Sequence, residues 1–95
     1  MPEPIDTKYK FIAVSNEHGT EHNEYDAIVF LAKDKALHET LIFYYVICVK
    51  LGAQTEQLES IRRMIHRVEV YQNLNPNKVK VADIDVSLLK QDKQG

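Results

Sequence analysis

The sequence predicts an α+β domain in the order β-β-α-α-β: an N-terminal β-hairpin packed on an antiparallel αα-hairpin, with a short third strand near residues 78–82. Three observations carry this. Residues Lys8 to Val14 alternate, with Lys8, Lys10, Ile12 and Val14 opposite Tyr9, Phe11 and Ala13. Leu58, Ile61, Ile65, Val68 and Tyr71 recur at helical spacing, with Met64 widening the stripe. Between them, ten of the eleven residues from Leu41 to Leu51 are apolar or aromatic, and only Lys50 is charged. This run is the most hydrophobic part of the chain, so the fold should be arranged to bury it.

Residues 1–7 (MPEPIDT) precede any periodic pattern and read as a mobile lead-in. The aromatic and β-branched content of KYKFIAVS makes it a strand. Asn16 to Glu24 is polar throughout, holds Gly19, and reads as the turn. Tyr25 to Ala32 then reads as the second strand, its centre apolar on both faces. Asp34 is the expected N-cap of a helix running to about Leu51, and Gly52 supplies the left-handed residue that ends it. Thr55 is the expected N-cap of the second helix, with Glu56 and Glu59 near its positive end. Pro76 stops that helix, because the residue before a proline disfavours the α region. A connection of three or four residues between the helices favours an antiparallel pair. Lys78-Val79-Lys80-Val81 alternates and suits a short edge strand guarded by its lysines. Residues 82–95 end in a polar tail, mobile over 90–95, although Val86, Leu88 and Leu89 could dock first.

Ninety-five residues make one domain, spanning 1–95. A net charge of −2 argues against a general affinity for nucleic acid or anionic membrane, though a local basic patch leaves that alternative open. Cys48 is the single cysteine, so no intramolecular disulfide forms and a reducing compartment is expected. The N-terminus lacks the basic and apolar regions of a signal peptide. Leu41–Leu51 is also too short to span a bilayer, which takes about 20 apolar residues. The cytoplasm is the expected location.

Arg62, Arg63, His66 and Arg67 place basic groups in adjacent i,i+4 rows on the second helix, and arginine forks suit phosphate or carboxylate. Lys78 and Lys80 extend that patch if the last segment folds back beside the helix. The competing reading is a salt-bridged solvent face, with Glu59 four residues before Arg63. His18 and His22 stand among Glu17, Glu21, Glu24 and Asp26, ligand types that zinc or nickel takes. They sit in an expected turn without a third placed ligand, so they are weak metal candidates beside the reading of a solvated acidic loop. His38-Glu39 begins like a zincin motif but lacks the second histidine, which position 42 fills with Ile42. Cys48 sits in the apolar run, where a thiol behaves as a small hydrophobe. Asp83 and Asp85 alone are too little for acid–base chemistry. No phosphate-binding glycine loop or nucleophile elbow is present, and neither cofactor nor catalytic residue is expected.

The segments AIVFLAKDKAL, FYYVICVKLGA and RVEVYQNLNPNKVKVADID, over about residues 27–85, resemble a pattern in small uncharacterised phage and prophage proteins. That resemblance implies an accessory or host-directed interaction role and assigns no residue. One hairpin and one helix cover two sides of the first helix, leaving a third apolar strip. Phe43, Tyr44 and Ile47 are therefore the expected contact of a two-fold homodimer. The expected function is a non-enzymatic binding protein, phage-type and host-directed (an inhibitor or counter-defence factor), acting on a host protein or an anionic small molecule. The alternative is nucleotide or nucleic-acid binding through the basic face of the second helix, and a metal-dependent enzyme comes third.

Overall fold

The protein is α+β: a two-stranded antiparallel sheet and two helices packed together. The structure, a computed structural model, describes residues 3–81. The chain divides into two compact units, one ending at Phe30 and the other beginning at Leu31.

The first unit holds β1 (Ile12–Val14) and β2 (Glu21–Asn23), paired in the register Ile12 to Asn23, Ala13 to His22 and Val14 to Glu21. The second strand thus falls in the stretch expected to be the turn, and the expected strand Tyr25–Ala32 is not one. The hairpin is reversed by residues 15–20. Gly19 takes φ +69°, its N–H bonds to the Ser15 carbonyl at 2.9 Å, and Ser15 N–H bonds to the Thr20 carbonyl at 2.8 Å. A left-handed residue is cheapest as glycine, so this turn sets the register. All six strand residues are exposed, so the polar composition of Glu21-His22-Asn23 carries no burial cost.

Asp6 organises this unit instead. It is 7% exposed, and its carboxylate accepts three backbone N–H groups. Lys8 (2.8 Å) and Tyr9 (3.0 Å) donate to Oδ1, and Val29 (2.9 Å) donates to Oδ2. Its own N–H bonds to the Glu24 carbonyl at 2.9 Å. The lead-in is therefore tied down at Asp6, and the apolar stretch after Tyr25 is held by this carboxylate rather than by a strand partner.

The second unit holds α1 (Leu37–Lys50) and α2 (Thr55–Leu74). The first helix begins two residues later than an Asp34 cap requires. Asp34 spends its side chain on the Ala36 N–H (2.9 Å), and Ala36 occupies the cap position without a side-chain bond. The far end follows expectation. Gly52 adopts φ +79°, its N–H reaches the Val49 carbonyl (3.1 Å), and Ala53 N–H reaches the Cys48 carbonyl (3.0 Å). That pair of bonds is a Schellman termination. In α2 the cap is Gln54, and Thr55 is the first helical residue. Asn75 ends α2, bonding the Tyr71 carbonyl through its N–H (3.0 Å) and its Nδ2 (2.9 Å), with Pro76 next. The helices run antiparallel: His38 at the start of α1 lies 3.2 Å, Nε2 to Oε2, from Glu69 near the end of α2, out of line for a hydrogen bond.

The expected third strand is reduced to one parallel bridge between Asp34 and Lys80. Its closing position 82, the docking candidates Val86, Leu88 and Leu89, and the tail 90–95 lie outside the described residues.

Burial falls on few side chains. Among the described residues the buried hydrophobics are Leu37, Ile61 (0% exposed) and Val68. Ile61 and Val68 stand seven apart, two turns along one side of α2, as the expected stripe requires. The Leu41–Leu51 run, in contrast, is not the core. Leu41, Tyr45 and Cys48, on the same side of α1 as Leu37, are half-buried, while Phe43 is 68% and Leu51 81% exposed. No helix among the described residues is long and apolar enough to cross a membrane.

Candidate functional site

Two features concentrate binding chemistry, and both lie in the second unit. The first is a cleft of about 680 Å³ lined by Leu31, Ala32, Lys33, Tyr71, Asn77, Lys78 and Lys80. Its construction starts from Gln72. The Gln72 side-chain amide donates to the Ala32 (3.0 Å) and Asp34 (2.9 Å) carbonyls, tying the segment before α1 to the last turns of α2. The chain leaving α2 turns at Pro76, with Lys78 N–H bonded to the Asn75 carbonyl at 2.9 Å. It then runs beside the same segment. Lys80 N–H reaches the Lys33 carbonyl (3.1 Å), and Lys35 N–H reaches the Lys80 carbonyl (2.9 Å).

Three lysines thus converge on one concave surface from two distant stretches of chain. Tyr71 and Asn77 add a phenol and an amide, and Leu31 and Ala32 add apolar wall. Lysines lining a cleft of this size suit an anionic small molecule with an apolar or aromatic part.

The second feature is the outward face of α1. Ile42, Phe43, Val46, Ile47 and Val49 are all exposed, and the exposed charged residues Glu39 and Lys50 stand near the two ends of the helix. Tyr44 is also exposed, but it stands seven residues from Leu37, on that residue's side of the helix and off this face. Its hydroxyl is pushed up from the usual tyrosine value, first by a hydrogen bond with Cys48 one turn on.

The expected basic site separates into two parts. Lys78 and Lys80 line the cleft, joined there by Lys33, while none of Arg62, Arg63, His66 or Arg67 does. Those four side chains are exposed on the opposite side of α2 from Ile61 and Val68. Arg62 bonds Glu59 at 2.9 Å, which gives Glu59 to Arg62 and not to Arg63. Lys33 had no signal of its own in the sequence, because tertiary contacts, the Gln72 amide bonds and the Asp34–Lys80 bridge, bring it to Lys78 and Lys80.

His18 and His22 each meet a carboxylate. His18 Nε2 is 3.7 Å from Glu17, and His22 Nδ1 is 2.7 Å from Asp26 Oδ2. The second contact, with the Asn23 N–H on Oδ1 (2.8 Å), holds the Asp26 carboxyl below the usual range, the His22 bond being the larger cause. Among the described residues no group of three or more His, Cys, Asp or Glu side chains is placed to hold a metal ion. Asp83 and Asp85 lie outside them. Comparison of the chain with family models, with curated proteins and with solved structures gives no match.

Proposed function

We propose that the protein is a non-enzymatic binding protein that works as a homodimer through the outward face of α1. The observation that carries this is Phe43, 68% exposed in the middle of an apolar helix face. Contiguous apolar surface of that kind marks interaction sites in folded monomers, because leaving it in water forgoes its burial energy. Phe43 and Ile47 are exposed on this face and available to a partner, while Tyr44 is exposed on another side of α1. The resemblance to small phage and prophage proteins gives the same class, a host-directed accessory factor, and the lone Cys48 suits a cytoplasmic setting.

Light scattering on the full chain at micromolar concentration tests the homodimer. The expected mass is twice the 11.0 kDa of the chain, falling to one chain for Phe43→Glu with helix content unchanged. A wild-type protein that stays at one chain mass across that range would falsify the reading.

A second reading rests on the three-lysine cleft: binding of an anionic small molecule, with a nucleotide as the natural candidate for its volume and its Tyr71 wall. The two readings use different surfaces of the second unit and are compatible.

A further inference from the structure

The outward face of α1 has a regularity that exposure alone does not require. Glu39, Phe43, Val46 and Lys50 follow one another at steps of four, three and four residues, so they form one stripe along the helix. Ile42 and Ile47 flank its centre, and all six side chains are exposed. The stripe is acidic at its N-terminal end, apolar in the middle and basic at its C-terminal end.

A two-fold axis crossing α1 between Tyr44 and Tyr45 would set a second copy of the helix antiparallel to the first. Glu39 then meets Lys50 of the other copy at both ends, and Phe43 meets Val46 twice. A parallel pair would instead set Glu39 against Glu39 and Lys50 against Lys50, and would align the two helix dipoles unfavourably. From this charge complementarity we infer that the partner of this face is a second copy of the chain, docked with α1 antiparallel to α1 and closed at each end by a Glu39–Lys50 ion pair. The inference rests on the homodimer proposed above and adds its register and polarity.

Charge reversal on the full-length protein tests it, with the dissociation constant read by analytical ultracentrifugation at low salt. Glu39→Lys alone sets lysine against lysine at both ends, and Lys50→Glu alone sets glutamate against glutamate. Each is expected to weaken the dimer about tenfold, since two exposed pairs change from attraction to repulsion. The double variant Glu39→Lys/Lys50→Glu restores opposite charges and is expected to return within about threefold of wild type.

The double variant also separates pairing from helix stability. Each reversal puts the wrong charge at an end of the helix dipole, so an effect acting only through α1 makes the double variant the weakest of the three. Circular dichroism on each variant records helix content alongside. A wild-type monomer removes the homodimer and this register with it. A wild-type dimer whose affinity the single reversals leave unchanged overturns the antiparallel register alone, as does a double variant weaker than both singles.

Discussion

Asp6 Oδ2 accepts the Val29 backbone N–H at 2.9 Å, joining two residues 23 positions apart. Together with the bonds from Lys8 and Tyr9, this holds the Asp6 carboxyl below its usual range, the Val29 N–H being the largest cause. A carboxylate depressed in the folded state contributes stability that is complete above its unfolded value, about 3.9, and is lost as pH falls through the folded value. The first unit should therefore loosen in acid. Asp6→Asn is expected to remove most of that acid dependence and to lower stability near neutral pH, because the amide nitrogen that replaces one carboxylate oxygen cannot accept an N–H. Hydrogen exchange at Val29 and Lys8, followed against pH for both proteins, checks it. Identical pH profiles for wild type and Asp6→Asn would refute the assignment.

How much of this could be read from the sequence depends on what holds each element. α2 was legible from Thr55 to Leu74 because Ile61 and Val68 bury one face and Pro76 fixes the end. The α1 terminus was legible because Gly52 has a conformation that only glycine takes cheaply. The hairpin was not. Its second strand is three exposed polar residues, paired by backbone bonds that composition does not report, while the apolar segment after Tyr25 answers to a carboxylate far upstream. Two of the three cleft lysines, Lys78 and Lys80, were visible. Lys33 joins them through the Gln72 amide and one β-bridge, and neither leaves a periodic trace.

Ile61 is the one large side chain among the described residues with no exposure, and it lies on the buried side of α2. Ile61→Ala should cost about 2–5 kcal/mol, the lost transfer energy plus the cavity left behind. The lower end is expected, since so small a core can collapse around the gap. Met64→Ala, one turn away and partly exposed, should cost less than about 1 kcal/mol. Urea melts followed by circular dichroism distinguish them, and equal midpoints would contradict the burial pattern.

Gly52 is predicted to act through backbone conformation alone. A Cβ built on it would meet nothing within 4 Å, yet its φ of +79° is strained for any other residue. Gly52→Ala should therefore destabilise by about 1–2 kcal/mol. Gly52→Asn should cost less, because asparagine tolerates the left-handed region better. A thermal melt in which the alanine variant matches wild type would mean that the α1–α2 turn relaxes to another form.

The cleft and the arginine face make opposite predictions for anion binding. If Lys33, Lys78 and Lys80 attract the ligand, Lys33→Glu or Lys78→Glu should each weaken ATP binding about fivefold or more at low salt. That is the effect of removing roughly 1 kcal/mol of attraction between charges a few ångströms apart in a wet site. The wild-type affinity should also fall as salt is raised, since exposed charges are screened beyond about 10 Å at 0.1 M. Arg63→Glu and Arg67→Glu, absent from the cleft lining and one or two turns before Tyr71, should change the affinity much less. Calorimetric titration of the four variants decides between the two surfaces. Loss of binding in the arginine variants with retention in the lysine variants would move the anion site to the exposed face of α2, and no heat in any protein would dismiss ATP as the ligand.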